Sequence, residues 1–250
     1  MNVSLYQAAS ALNANQRWQE IAAENLASSG VPGYKKQQLS IGALQGGMIP
    51  KPGASFDKAL DHYALPKADT STSFQQGEMK FTGSSTDLAV EGKGFFEVAM
   101  PNGTTAYTRD GEFHFSSTGQ LVTKEGFQVI MDGGIAQFDM KNPGPISISS
   151  TGEISQGSDK KGRIRLTDVS EPNLMTEISG GYFVAKNVGI KTSDSKATMK
   201  QGYVEASNAN VITEMANMMS AMRGFEANQK IVQMQDERMG KAISELGNAS

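Results

Sequence analysis

The sequence predicts an α+β protein in which long N- and C-terminal helices pair as a coiled-coil-like layer and an antiparallel β domain is inserted between them. Three observations lead to this prediction. Apolar residues recur at helical spacing in the last part of the chain, a thinner apolar stripe runs through the first 29 residues, and turn signals recur every seven to ten residues in between.

The first 29 residues are predicted to form a slender helix. Leu5, Leu12 and Leu26 lie on its apolar face, and much of the rest of the segment is alanine, so that neighbouring elements can pack close to it. Gly30 and Pro32 mark the end of the helix, because glycine favours the C-terminal cap and proline cannot continue the turn.

The middle of the chain divides into a linker and a β domain. Residues 36–74 are polar with scattered glycine and proline, and are expected to form an extended linker with a short helical turn near 56–63. Residues 75–202 carry Asn-Gly and Asp-Gly pairs between short apolar runs, which predicts antiparallel hairpins. Strands are expected at 95–98, 105–108, 113–115, 121–123 and 127–130. Residues 1–35 together with 203–250 would form the helical assembly domain.

The last segment has the most regular apolar spacing in the chain. Over residues 211–246 a mainly apolar stripe follows alternating spacings of four and three residues, with Gln229 and Asp236 as its two polar positions, and no proline interrupts it. Ser207 and Asn208 can cap the start of this helix, and Gly247 suits its end. At 1.5 Å per residue the helix would be roughly 54 Å long, which is more than one compact domain covers. We therefore expect it to contact another subunit, although ordinary core packing is the plainer alternative.

Composition argues against several classes of function. The chain has no cysteine, and its two histidines, His62 and His114, lie far apart without neighbouring ligands, so no metal site is expected. A formal net charge of −3 argues against nucleic acid as a partner. No apolar run reaches the length of about 18 residues that a membrane helix needs. Neither a cofactor nor a small-molecule substrate is expected, and the N-terminus lacks the pattern of a cleaved secretory signal.

Three groups of motifs resemble the flagellar rod and hook protein family. They are AENLA at 23–27 with PGYK at 32–35, LAVEGKGFF at 88–96 with AYTRDG at 106–111, and VEASN at 204–208 with RGFEAN at 223–228. Their order along the chain is that of the family, and together they span nearly its whole length. The length of the chain, 250 residues, is also similar to that of a rod protein of the proximal or distal type.

The resemblance implies a structural, non-enzymatic subunit of the bacterial flagellar basal-body rod. Such a subunit polymerises through its terminal helices into the axial tube that transmits torque and encloses the export channel. The implied partners are other copies of the chain, related rod and hook proteins, and the flagellar export apparatus. The implied location is the periplasmic rod, reached without a cleaved signal peptide.

The resemblance and the apolar stripe together predict an assembly interface. Its expected residues are Leu5, Leu12, Asn25, Leu26, Pro32, Gly33, Tyr34, Ser207, Asn208, Val211, Met215, Met218, Met222, Arg223, Phe225, Asn228 and Val232. Three alternatives remain at this point. They are a coiled-coil adaptor that forms a defined oligomer, a hook-type axial protein, and a β-rich cell-wall enzyme that would use carboxylates such as Glu91 and Glu97.

Overall fold

The computed structural model describes residues 3–50, 60–134, 137–139, 144–185 and 190–248. In these residues the chain forms two α-helices, α1 (Val3–Ala27) and α2 (Val211–Asn248), and a 3₁₀ turn at Pro172–Leu174. The strands are β1 (Gln37–Pro50), β2 (Leu60–Thr72), β3 (Met79–Phe81), β4 (Leu88–Glu91), β5 (Phe95–Ala99), β6 (Thr105–Thr108), β7 (His114–Phe115), β8 (Leu121–Val122), β9 (Gln128–Val129), β10 (Met131–Asp132), β11 (Ile146–Ile148), β12 (Glu153–Gln156), β13 (Asp159–Ile164), β14 (Leu166–Val169), β15 (Thr176–Ser179), β16 (Tyr182–Val184), β17 (Thr192–Asp194), β18 (Thr198–Gln201) and β19 (Tyr203–Glu205).

The chain divides into two compact units. The helical unit contains α1, β1, β2 and α2, and the β unit contains residues 28–36 and 72–210. Both units are discontinuous in sequence, because the chain leaves and re-enters each of them. Each unit is described by itself below.

In the helical unit α1 and α2 pack against each other in antiparallel directions. Asn15 of α1 lies against Gly224, and Asn25 donates a hydrogen bond to Glu214. These two contacts define one register along the helix pair. Since α1 has 25 residues and α2 has 38, this register leaves the C-terminal part of α2 beyond the start of α1.

The expectation that the terminal helices pair as a coiled-coil-like layer is wrong, although the α+β class is consistent with the structure. The described residues contain only two helices, of unequal length, and a large β-rich region. The side of α2 that faces α1 carries Glu214, Ala221 and Gly224, which are polar or small. Such residues bring two backbones close without the interlocking large side chains of a coiled coil. The predicted stripe is rotated away from this contact, so that Met215 and Met222 are exposed.

The linker expected over 36–74 is replaced by two long strands. β1 and β2 form a two-stranded sheet within the helical unit. Part of the short helical turn expected at 56–63 falls in strand β2, and residues 56–59 lie outside the described residues. Backbone pairing between two strands satisfies their N–H and C=O groups whatever the side-chain pattern, which is why the lack of periodicity misled the prediction.

The β unit is built on antiparallel pairs. Its largest sheet has the order β15-β16-β6-β5-β9-β8-β7, with β14 also on β5 and β17 on β14, and a second sheet has the order β10-β13-β12-β11. The same unit also contains two short antiparallel pairs, β18 with β4 and β19 with β3. The strand positions expected around residues 95–130 agree with β5 to β9.

The core of the β unit is apolar and closely buried. Strand β5 pairs with β6, β9 and β14, and most of its residues are buried whichever way they point. Leu88, Val90, Phe96, Val98 and Ile164 belong to the main cluster and are at most 1% exposed. A second, smaller cluster contains Phe95, Tyr107, Val169, Met175 and Phe183.

Candidate assembly interface

In the β unit, the segment that follows α1 is held against the segment that precedes α2. The Gly33 N–H donates to the Glu205 carbonyl at 2.7 Å, and the Asn208 N–H donates to the Tyr34 carbonyl at 3.4 Å. Strand β19 pairs with β3, with Tyr203 opposite Phe81. The first and last segments of the unit are therefore hydrogen-bonded to each other.

A buried ion cluster lies at this point. The Glu205 carboxylate pairs with the Lys35 ammonium through one oxygen and with Arg109 Nη1 at 3.0 Å through the other. The side chains of Lys35, Glu205 and Arg109 are 1%, 0% and 5% exposed. The Gly77 N–H also donates to Glu205, at 2.8 Å. One carboxylate therefore joins three distant segments of the chain. We call these residues, with Asn208, the polar junction.

Backbone carbonyls are further acceptors for the two cations. Lys35 Nζ donates to the Gln75 carbonyl at 2.8 Å, and Arg109 Nη2 donates to the Gly92 carbonyl at 2.7 Å. Burial lowers the pKa of Lys35, and the Glu205 charge opposes this effect. Burial also lowers the pKa of Arg109. Because removing such charges from water is costly, we assign the cluster a role in fixing the arrangement of the segments rather than in adding stability.

Two glycines allow the close approach of these segments. Gly33 has a φ of 70°, and a Cβ there would collide with the backbone nitrogen of Asp110. A Cβ at Gly77 would collide with the carbonyl oxygen of Ala206. The glycine of the PGYK motif is thus required both by its backbone conformation and by the Asp110 backbone that packs against it.

Asn208 ties a further set of backbone groups together. Its Oδ1 accepts a hydrogen bond from the Lys36 N–H at 2.7 Å, and its Nδ2 donates to the carbonyls of Ser73 at 2.8 Å and Gln75 at 3.0 Å. The hydroxyl of Ser207 accepts from the Ala209 N–H at 3.1 Å. The VEASN motif therefore supplies two kinds of contact, the ion pairs of the Glu205 carboxylate and the hydrogen bonds of the Asn208 side-chain amide.

The helical unit has a buried polar contact of its own. Asn25 exchanges two hydrogen bonds with the backbone of Gln37, donating to its carbonyl at 2.8 Å and accepting from its N–H at 2.9 Å. Asn25 Nδ2 also donates to Glu214 at 3.3 Å, as does Asn217. Asn25 and Glu214 are 1% and 3% exposed. They connect the end of α1, the start of β1 and the first turn of α2.

The first three turns of α2 carry an exposed apolar surface. Val211, Ile212, Met215, Met219 and Met222 are between 44% and 79% exposed. At about 100° of rotation per residue they occupy one side of the helix, within an arc of roughly 100°. We call these five residues the methionine face. Contiguous exposed apolar side chains of this kind mark an interaction surface.

The structure divides the predicted interface residues into two groups. In the β unit, Gly33 and Tyr34 are buried, and Pro32, Ser207 and Asn208 are half-buried. In the helical unit, Asn25 is buried; Leu12, Leu26, Met218, Phe225, Asn228 and Val232 are half-buried; and Val211, Met215, Met222 and Arg223 are exposed. The Leu5 side chain lies outside the described residues. Gly33, Tyr34 and Asn208 of the first group form hydrogen bonds at the polar junction, whereas the second group is spread over different sides of two helices.

Sequence reasoning did not assign four residues of these contacts. Lys35, Arg109 and Glu205 lie within the motifs that carry the family resemblance, and Glu214 lies in the first turn of α2. A charged residue in a short apolar run, such as Glu205 after Val204, is a signal for a buried pair. The sequence does not say which cation completes that pair.

Two features are absent from the described residues. No group of three or more His, Cys, Asp or Glu side chains among them is placed to hold a metal ion. In the same part of the chain, neither helix has the length and apolar character needed to cross a membrane. The exposed apolar side of α2 is typical of the class of proteins that bind other proteins through a helix surface.

Comparisons with known sequences identify the family. The sequence model described as flagella basal body rod protein matches residues 5–35, the flagellar hook protein FlgE/F/G D1 domain matches 89–156, and the flagellar basal body rod FlgEFG protein C-terminal region matches 200–245. The three matches follow one another along the chain and include the motifs at the polar junction.

Full-length relatives give the same result. The chain is 31% identical to the flagellar basal-body rod protein FlgG of Borreliella burgdorferi, over 96% of this chain and 97% of the relative. It is also 31% identical to FlgF of Caulobacter vibrioides, over 99% of both, and 29% identical to FlgF of Mesorhizobium japonicum, over the whole of both. The chain belongs to the family of flagellar basal-body rod proteins. It is a structural rod subunit of the flagellar basal body.

Proposed function

We propose that the chain polymerises through the methionine face of α2 and the other predicted interface residues of its terminal helices. Other copies of the chain and related rod and hook proteins are the partners. The observation that carries this proposal is the exposure of five apolar side chains on three turns of one helix. Leaving such a surface in water is unfavourable, and burying it against a neighbouring subunit removes the cost.

The form of the polymer follows from the type of contact. A face on one subunit that binds a different face on the next subunit makes a head-to-tail contact. When the rotation from one subunit to the next does not close the subunits into a ring, repeating the contact builds a helical tube. Such a tube would transmit torque along its axis and enclose an export channel. The polar junction would hold the two ends of the β unit in a fixed arrangement while it is under load.

The proposal includes the absence of catalysis and the route to the rod. The chain would reach the rod through the flagellar export apparatus without a cleaved signal peptide. Its buried carboxylates have structural partners, as Glu205 does with Lys35 and Arg109 and as Glu97 does with Thr167. This pattern supports a structural role for the carboxylates rather than an acid–base role.

Sedimentation of the full chain at rising concentration tests the proposal. We expect the wild-type chain to form assemblies that grow with concentration, and Met215→Glu with Met222→Glu to remain monomeric, because two charges would be buried at the contact. Ala216→Glu is the matched control, since Ala216 is exposed on the same turns of α2 but outside the methionine face.

The possible results separate the alternatives. A defined dimer or trimer that never grows would favour the coiled-coil adaptor. Growth of the double variant equal to that of the wild type would show that the methionine face is not the contact.

A further inference from the structure

Thioethers contain all of the sulfur in this chain. It has 14 methionines and no cysteine, so no thiol competes with the methionines for an oxidant. Met215, Met219 and Met222 lie on the methionine face of α2 and are between 48% and 54% exposed. By contrast, Met175 and Met199 of the β unit are at most 8% exposed. A peroxide has to reach the sulfur atom, so the three exposed methionines should be oxidised much faster than the two buried ones.

The three exposed methionines are neighbours on the surface of the helix. They lie four and three residues apart, and side chains at these spacings lie one above another on the same side of a helix. The side of α2 that faces α1 carries Ala221 and Gly224 instead. Oxidation of the three methionines would therefore change the outer surface of α2 and leave its contact with α1 in place.

The oxidation transfers one oxygen atom to each sulfur. The thioether sulfur attacks a peroxide oxygen, the O–O bond breaks, an S=O bond forms, and the other oxygen leaves as water. The methionine loses two electrons and the peroxide gains them. A dithiol reductant reverses the change, because it supplies two electrons and two protons, becomes a disulfide, and the sulfoxide oxygen leaves as water. The modification is therefore reversible.

A sulfoxide gives the methionine face a different chemical character. The thioether side chain is flexible and apolar, whereas the sulfoxide is polar and accepts hydrogen bonds. Burying such an acceptor against an apolar neighbour is unfavourable unless a donor pairs with it. Three adjacent sulfoxides would therefore oppose the burial of this surface.

We propose that Met215, Met219 and Met222 form a peroxide-sensitive modification site that keeps oxidised subunits out of the assembly until the sulfoxides are reduced. The inference rests on the proposed function, because it requires the methionine face to be a contact between subunits. The same contact covers the three sulfur atoms, so that peroxide oxidises free subunits and leaves assembled ones unchanged. The site therefore acts before a subunit is incorporated.

Limited treatment of the unassembled full chain with hydrogen peroxide tests this site. Tryptic peptide 201–223 contains the three methionines, and fragmentation in the mass spectrometer assigns the added oxygen to single residues. We expect oxidation at Met175 to be slower than at these residues by on the order of tenfold or more. In assembled protein, the three methionines should become as slow to react as Met175.

The same treated protein reports on assembly. We expect the concentration needed for assembly to rise at least about tenfold after oxidation, as measured by sedimentation. Incubation with the two stereospecific methionine sulfoxide reductases and dithiothreitol should return it to the original value. This recovery is measured on the wild-type chain and does not depend on any variant.

Leucine variants separate the sulfur chemistry from the apolar surface. Met215→Leu with Met219→Leu and Met222→Leu keeps a similar apolar volume and removes the three sulfur atoms. We expect this triple variant to assemble at the same concentration with and without peroxide. Met234→Leu with Met239→Leu is the control, since these two methionines of α2 are also exposed but lie outside the methionine face. The control should remain as sensitive to peroxide as the wild type, and circular dichroism melting confirms that both variants are folded.

The outcomes distinguish this inference from the proposed function. If the untreated wild-type chain does not assemble, both are overturned. The modification site alone is overturned if the untreated chain assembles and the oxidised chain assembles at the same concentration. It is also overturned if the sulfoxide reductases do not restore assembly, or if the triple leucine variant is as sensitive to peroxide as the wild type.

Discussion

At the scale of single residues, the Glu205 carboxylate connects three separate segments of the β unit. It accepts from Lys35, Arg109 and the Gly77 N–H, and its side chain is fully buried. Removing its charge leaves two buried cations without their anion. Loss of one partner of a buried ion pair is much more costly than exchange of the whole pair for apolar groups.

We therefore expect Glu205→Gln to lower the free energy of unfolding by about 3–5 kcal/mol. Urea denaturation followed by circular dichroism measures the change. Glu153→Gln serves as the control, because the Glu153 side chain is 58% exposed and its nearest cation, Lys160, is 4.0 Å away. Equal denaturation midpoints for the two variants would show that Glu205→Gln does not leave Lys35 and Arg109 buried without an anion.

Asp110 provides a prediction about pH. It is 7% exposed, and burial raises its pKa from 3.8 to about 6, against a hydrogen bond from the Glu112 N–H. Since the folded-state pKa lies above the unfolded-state pKa, the folded chain binds the proton more tightly. The stability that this group contributes is complete below about pH 4 and is lost as the pH rises through 6.

Asp110→Asn should accordingly have the same free energy of unfolding as the wild type near pH 4. Above pH 7 its free energy of unfolding should exceed that of the wild type by on the order of 2–3 kcal/mol. The measurement is the unfolding free energy of both proteins at several values between pH 4 and pH 8. Asp159→Asn, whose side chain is 74% exposed, should show no such divergence. A gap that is constant over the whole pH range would refute the buried-carboxyl explanation.

At the scale of elements, α2 has two sides with different roles. One side meets α1 through small and polar residues, including Ala221 and Gly224. The other side is the methionine face. Phe225 is half-buried whereas Met222 is 48% exposed, although both lie on the same predicted stripe. The two residues therefore test the division of the helix directly.

We expect Phe225→Ala to lower the stability of the isolated subunit by about 2 kcal/mol, because a partly buried ring is lost. Met222→Ala should change that stability by less than about 0.5 kcal/mol and weaken assembly instead. Thermal melting at low concentration and sedimentation at high concentration give the two readouts. A Met222→Ala chain that melts early yet assembles normally would show that the methionine face is core.

At the scale of the whole molecule, protection from proteolysis should follow the packing of the two helices. The register of Asn25 with Glu214 and Asn15 with Gly224 leaves residues after about 236 of α2 beyond the start of α1. Helix ends without a tertiary partner open most readily. Assembly with neighbouring subunits would cover this part of α2.

Limited trypsin digestion of the monomer should therefore cut first after Arg238 and Lys241, and last after Arg109, which is 5% exposed. In assembled protein the first two sites should become resistant. The order of cleavage is read from the fragment masses over time. Early cleavage at Arg109 would mean that the polar junction does not hold the β unit closed.

The sequence by itself determined the family, the presence of both terminal helices and the strands near residues 95–130. Each of these follows from local spacing or from short motifs, and local spacing survives in any fold that uses the element. It also placed Gly33, Tyr34 and Asn208 in one set of expected contacts, because all three lie in family motifs. The sequence did not predict strands β1 and β2, because apolar and polar side chains do not alternate along them.

Only the tertiary structure decided which side of α2 faces α1 and which charged side chains are buried in contact with one another. Lys35 and Glu205 are 170 positions apart, and Arg109 and Glu205 are 96 apart. No helical or strand period relates residues at such separations, so their pairing depends on how the chain closes the β unit. The apolar period of α2 is likewise compatible with more than one side facing inward, and the close fit of Gly224 to Asn15 selects one of them.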